Sequence, residues 1–424
     1  MLKPKSLTYG QWFKKLGPGL ITGAADDDPS GIATYSQAGA QFGLNMLWTV
    51  VFTYPLMAGI QMISARIGRV SGHGLASNIR QHYPAWLLYS IVGLLLIANT
   101  INIAADIAAM ADALKLLMGG RIHFYAIGIG LLSLLLQILI PYRRYVRVLK
   151  WLTLSLMAYV ATVFVVQIPW LQVLSASLWP HLSWQPQYVM TVVAVFGTTI
   201  SPYLLFWQAS QEVEEQLMNP GQEPLIVAPK QAPDNFKRIK IDTYIGMGFS
   251  NLVAFFIILT TAVTLNLHGI TDIQTSAQAA RALRPIAGEF AYFLFSAGII
   301  GTGLLAIPVL AGSAAYAMAG AFEWSSSLAL EPMRAKGFYS IIATSTLIGV
   351  ALCFTAIDPI KALYWSAVIN GVISVPIMVL MLLMASRPEI MGKFTLNPAL
   401  KLMGWLCAGV MAVAVIAMFW TMGT

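Results

Sequence analysis

The chain has 424 residues, of which 58% are hydrophobic and only 10% charged, against about a quarter charged in soluble domains; with a mean hydropathy of +0.72 it reads as an all-α integral membrane protein. Its net charge of +8 is not gathered on one face or in one segment, so no nucleic-acid partner is expected, and the basic residues between apolar runs act as topology signals. Cys353 and Cys407 each sit alone in an apolar run, and the five histidines lie near run ends or in loops; this argues against a disulfide, a thiolate site or an intramembrane zinc centre, and no cofactor is expected.

A helix needs about 18 or more apolar residues to cross roughly 30 Å of hydrocarbon. Eleven such runs are predicted, near 17–43, 46–70, 86–118, 121–141, 148–168, 187–212, 238–268, 286–320, 338–358, 360–386 and 398–422. The charged start, residues 1–16, leads directly into the first run and reads as a cytoplasmic segment, not as a cleaved signal peptide. Placing it in the cytoplasm puts 20 of the 25 Lys and Arg inside and leaves Lys115, Arg121, Arg281, Arg284 and Lys361 at or near the outer ends. The positive-inside rule then gives a multi-pass protein with its N-terminus in the cytoplasm and its C-terminus outside, which for a bacterial cell means the inner membrane.

The first run is interrupted. Residues 19–43, GLITGAADDDPSGIATYSQAGAQFG, carry Asp26, Asp27, Asp28 and Pro29 at membrane depth. Acids there are costly and functional by default. Asp28 before Pro29 fits the start of a new half-helix, as an N-cap followed by proline at the first helical position. Its carboxylate and carbonyls of an unwound turn, such as that of Ala25, make a hard-oxygen site for a divalent ion. Of Asp26 and Asp27, one is expected to face an aqueous vestibule, and Asp27 is a candidate for the ion's outer shell. In the third run Asn99, Asn102 and Asp106 recur at helical spacing as one polar stripe, either a buried helix contact or a wet path for protons or ions.

The sixth run repeats the interruption. VFGTTISPYLLFWQ places Ser201-Pro202 in mid-span, and proline removes a helical hydrogen bond and clashes with the carbonyl one turn back. Residues 212–240, rich in charge, Pro and Gly, form the longest polar connection and read as a cytoplasmic loop. Two interrupted spans in corresponding places are the mark of an inverted repeat, with the substrate bound at the breaks. The expected units are a first repeat at 17–168, a second at 187–386 that includes the loop 213–237, and a final span at 398–422. In the tenth run Asn370 stands in mid-span, as a weaker ligand candidate or as packing glue.

GPGLITGAADDDPSGIATYSQAGAQFGLNMLW resembles the first-span signature of the Nramp divalent-metal transporters, and FGTTISPYLLFWQ is similar to their sixth-span motif. ISARIGRVSGHGLA and AADIAAMADAL extend the resemblance, which spans the whole chain. It implies a LeuT-like fold of five plus five helices and an eleventh, with helices 1 and 6 broken. The departures are specific. The family's Asp-Pro-Gly-Asn reads Asp28-Pro29-Ser30-Gly31, its Met-Pro-His reads Ser201-Pro202-Tyr203, and the glutamate three residues after the retained Asp106 is Ala109. Loss of the soft sulfur ligand leaves an all-oxygen site, which resembles the divergent Nramp-related magnesium branch. Gly31 is expected to leave room for water, suiting an ion that dehydrates reluctantly.

The expected function is import of divalent cations, Mg²⁺ foremost with Mn²⁺, by a monomer in the bilayer. The metal site comprises Asp28, the carbonyls of Ala25 and Thr198, Ser201, Gly31, Asp27 and Asn370, with Asp106 and Tyr203 on the proton or ion path. The alternative is a proton-coupled Mn²⁺/Fe²⁺ importer. An intramembrane aspartyl hydrolase using Asp28 and Asp106 is disfavoured because it requires no paired helix breaks, and a channel is distinguished by its non-saturating flux.

Overall fold

The computed structural model describes residues 18–140, 153–328, 330–355 and 358–423. The expected cytoplasmic segment 1–16, with its lysines, and the basic stretch Arg143 to Lys150 lie outside the described residues. All regular structure among the described residues is helical. The principal helices are α1 (Pro18–Asp26), α2 (Pro29–Phe42), α3 (Leu47–Ser71), α4 (Leu75–His82), α5 (Ala85–Met118), α6 (Ile122–Leu139), α7 (Met157–Thr162) and α8 (Trp170–Leu178). They continue as α9 (Pro186–Thr199), α10 (Pro202–Met218), α11 (Ala232–Thr264), α12 (Ser276–Ala280), α13 (Ala291–Phe322), α14 (Lys336–Leu352), α15 (Pro359–Ala385) and α16 (Pro398–Gly423).

Among the described residues, eight helical runs are long and apolar enough to cross a membrane. One of them, Pro29–Ser71, contains α2 and α3, and α14 is a shorter apolar helix. The fifth expected span is described only from residue 153, as a short 3₁₀ turn and α7. Between it and α9 lies α8, which the hydropathy pattern does not reveal; it exposes Trp170, Leu171 and Leu174 while burying Val173 and Ala176. Apolar and tryptophan side chains so arranged suit a helix at the membrane interface.

Both interruptions fall where the prolines put them. The first helix stops at Asp26 and restarts at Pro29, and the sixth stops at Thr199 and restarts at Pro202. These broken pairs occupy the interior: the most apolar window of α9 and α10 is 94% buried, whereas that of the peripheral α6 is 28% buried. Helix α11 packs along α1 and α2, α15 lies against α9, and α3 lies against α10. Helix α5 is wedged against α13, α14 and α15.

Small residues let these helices approach. A Cβ on Gly23 would stand 2.3 Å from the Gly246 carbonyl oxygen, and one on Gly197 would stand 2.1 Å from that of Ala367. Such backbone proximity, available to glycine alone, is what drives packing where lipid removes the hydrophobic incentive. The connection expected at 213–237 is shorter, because α10 runs on to Met218 and α11 starts at Ala232, and it is not free either. Leu225 is fully buried, and the amides of Leu225 and Ile226 donate to the carbonyls of Arg69 and Val70 at the end of α3.

Candidate cation site

The site grows from the cap of α2. Asp28 takes an extended backbone, and its Oδ1 accepts from the Gly31 amide at 2.7 Å. This satisfies one of the amides that a helix start leaves unpaired. Pro29 has no amide to satisfy and is preset for the first turn. Oδ2 of the same carboxylate accepts from the Tyr203 hydroxyl at 3.2 Å, and that hydroxyl lies 3.3 Å from the Ala25 carbonyl oxygen. One phenol therefore bridges the carboxylate and the carbonyl of the first break, and it comes from the helix that begins at the second. Asp28 and Tyr203 are both buried.

Thr198 and Ser201 border the second break. A Cβ on Gly31 would stand 3.3 Å from Thr198 Oγ1, which places α2 directly against the end of α9. The open space expected beside Gly31 is therefore narrow in this conformation. The Ser201 hydroxyl is engaged with the carbonyls of Gly197 and Thr198, at 3.0 and 2.7 Å. It holds the unwound turn in shape, while its lone pairs remain as acceptors.

The other acids divide by location. Asp26 and Asp27 are buried, and both take the Ser250 hydroxyl of α11, at 2.6 and 3.0 Å; in this conformation neither faces a vestibule. Nothing in the sequence around Ser250 marks it for this role. Asp106 is fully buried within electrostatic reach of Asp28 and Tyr203, and neither of its oxygens has a hydrogen-bond partner among the described residues. Asn370 is turned toward α5. It exchanges amide hydrogen bonds with Asn102 at 3.0 and 3.3 Å, which commits its oxygen to helix packing. The polar stripe of α5 is thus split: Asn99 binds the Leu310 carbonyl and Ser313 on α13, Asn102 binds α15, and Asp106 is left near the break.

Toward the other end of α1 the structure is closed. The Gly19 amide donates to Asp242 Oδ2 at 2.7 Å, and Thr22 donates to Gln208 on α10. Arg238 pairs with Glu212 and Glu215, with Asp242 3.9 Å away. Among the described residues no group of three or more His, Cys, Asp and Glu is gathered for a metal, so a cation here would be held by one carboxylate, backbone carbonyls and hydroxyls.

Comparison with known proteins agrees with this architecture. The family model described as natural resistance-associated macrophage protein-like, Nramp, matches residues 19–421. A divalent metal cation transporter MntH of Klebsiella pneumoniae is 24% identical over 402 residues, which cover 93% of this chain and 91% of that protein. The crystal structure of the Eremococcus coleocola manganese transporter superposes with a TM-score of 0.72 at 18% identity, covering 97% of this chain and 87% of that one. A nucleobase-cation-symport-1 family transporter in a closed conformation gives 0.57 at 12% identity, over 96% and 92% of the two chains. The fold is the LeuT-like one that the family resemblance implied.

Proposed function

The chain belongs to the Nramp family, a family of transporters and not of enzymes, and from that premise we propose that it imports divalent metal cations, favouring Mg²⁺ and also carrying Mn²⁺. The observation that carries the reading is the bridge from Tyr203 to Asp28 and Ala25, which gathers an acid, a carbonyl and a hydroxyl at two opposed helix breaks. Unwound carbonyls at membrane depth are tolerated where they line a cavity or bind an ion. With Ser201 in place of sulfur, the nearby donors are hard oxygens, which suit Mg²⁺, Ca²⁺ and Mn²⁺ better than softer metals.

The cation is substrate, not cofactor. Asp28 supplies the charge, the carbonyls of Ala25 and Thr198 supply neutral ligands, and Ser201 adds a hydroxyl oxygen. Tyr203 yields its acceptors when the ion arrives. Access alternates as α1 and α10 part from α11 on the Gly19 side, and α2 closes toward α9 on the other. The two repeats are residues 17–168 and 187–386, with the N-terminus in the cytoplasm of a bacterial cell.

The test is flux of Mg²⁺, Mn²⁺ and Ca²⁺ into proteoliposomes, comparing wild type with Asp28→Asn. Neutralising Asp28 should abolish uptake of every divalent ion while the protein still elutes as a folded species. Retention of more than about half of the flux would remove Asp28 from the site. A second reading is a Mn²⁺ importer of the proton-coupled kind, whose choice of ion draws support from the fold shared with the Eremococcus manganese transporter; Mn²⁺ carried to the near exclusion of Mg²⁺ would select it.

A further inference from the structure

On the side of the site opposite Gly19 and Asp242, a cavity of about 170 Å³ is bounded by α2, α9, α15 and the segment that follows α11. Its floor includes Ala33, little more than one helical turn beyond Asp28. Ala33, Gln37 and Gln41 present one face of α2 at intervals of four residues. Gln187 enters from α9, and Lys361 and Tyr364 enter from α15. The wall is completed by Asp272, whose segment is fixed by Gln37: the Ile273 amide donates to Gln37 Oε1 at 2.9 Å, and Gln37 Nε2 reaches the Thr271 carbonyl at 3.4 Å.

The dimensions and chemistry fit a hydrated ion. A cavity needs roughly 10–15 Å³ of space open to water centres per water, so the volume present has room for a shell of six waters and more. Waters on a divalent cation are strong donors, and the lining carries groups able to accept from them: Gln187, the Asp272 carboxylate, whose Oδ2 also accepts from Gln274 Nε2 at 2.9 Å, and Gln41, whose Oε1 accepts from Gln37 Nε2 at 3.3 Å. Asp272 and Lys361 are both exposed, carry opposite charges, and form no ion pair with one another. A hydrated ion in the cavity therefore meets one attractive and one repulsive charge, each acting on it through its water.

We propose that this cavity is an entry site that holds the divalent cation with its water shell intact before the ion is stripped at Asp28, and that Asp272 and Lys361 set its occupancy with opposite sign. The proposal rests on the divalent-cation reading above and adds a second, outer-shell site. Asp272 attracts the ion, and Lys361 limits how tightly it is kept, so that it leaves for the deeper site. In such a site a single charge change is felt through water and screened over about 10 Å at 0.1 M salt, so each effect is a few-fold.

The experiment is Mg²⁺ uptake by the full chain in proteoliposomes, with the apparent KM measured for wild type, Asp272→Asn and Lys361→Gln. Asp272→Asn should raise KM about threefold and Lys361→Gln should lower it about threefold, with the change carried by KM more than by maximal rate. Raising the impermeant monovalent salt should shrink both effects. Equal KM in all three proteins, or shifts of the same sign, would overturn the proposal. If Asp272→Asn alone lost its fold, Lys361→Gln and its salt dependence would still decide the matter. Failure of the wild type to carry any divalent ion would instead overturn the proposed function, so the two failures are distinguishable.

Discussion

The Tyr203 hydroxyl stands 3.2 Å from Asp28 Oδ2 and 3.3 Å from the Ala25 carbonyl oxygen, so one donor serves two of the groups proposed to bind the ion. A metal must displace that hydroxyl from both. A net hydrogen bond contributes about 1 kcal/mol, and removing the competitor should strengthen metal binding by a comparable amount. Tyr203→Phe is expected to bind Mg²⁺ about fivefold more tightly in a calorimetric titration. Binding weakened tenfold would instead make the phenol oxygen a ligand.

The reciprocal amide pair between Asn102 and Asn370 predicts a structural role. Intramembrane side-chain hydrogen bonds average about 0.6 kcal/mol each. A double-mutant cycle of Asn102→Ala and Asn370→Ala should return a coupling near 1 kcal/mol in unfolding stability. Uptake by Asn370→Ala should stay within about twofold of wild type after correction for folded protein, whereas loss of metal binding would return Asn370 to the ion's shell.

The two breaks were legible in the sequence because proline lacks an amide donor and clashes with the carbonyl one turn back, and because Asp28 precedes one of them. The departures at Ser201 and Gly31 were legible by comparison with a family motif, but the close approach of Thr198 to Gly31 was not. Tertiary partners were not. Asn370 has the same local pattern whether it faces an ion or Asn102, and only the approach of α5 to α15 decides between them. Ser250, which receives Asp26 and Asp27, is one serine among several on α11 and carries no local mark. Helix α8 escaped because it is too short for a hydropathy window and buries only one side.

Position 201 gives a test of ion choice. Ser201 Oγ donates to the Gly197 and Thr198 carbonyls, so Ser201→Met both frees those carbonyls and introduces a thioether. The soft ligand should favour Mn²⁺ and Cd²⁺ over Mg²⁺. Gly31 lies so close to Thr198 that the longer side chain has little slack, and the swing should be moderate. The Mn²⁺-to-Mg²⁺ uptake ratio is expected to rise about fivefold, equivalent to about 1 kcal/mol. An unchanged ranking would place residue 201 away from the ion.

Coupling to protons is the last question the site geometry addresses. A symporter needs groups that gain and lose a proton along a path from the metal site. Position 203 holds a tyrosine, whose hydroxyl ordinarily titrates near pH 10, and it is engaged with Asp28 and Ala25. Position 109 holds a buried alanine, which carries no proton. Asp106 lies near Asp28, yet it has no hydrogen-bonded partner among the described residues to pass a proton onward. Transport is therefore expected to be a uniport or only weakly coupled. The membrane potential acting on two charges supplies about 4.6 kcal/mol per 100 mV, twice the single-charge value. With a pH dye enclosed in the proteoliposomes and the potential clamped, Mg²⁺ uptake should proceed without acidification of the lumen, and its rate should rise with an interior-negative potential. Lumenal acidification in proportion to metal uptake would overturn this reading and establish proton symport through Asp28 and Asp106.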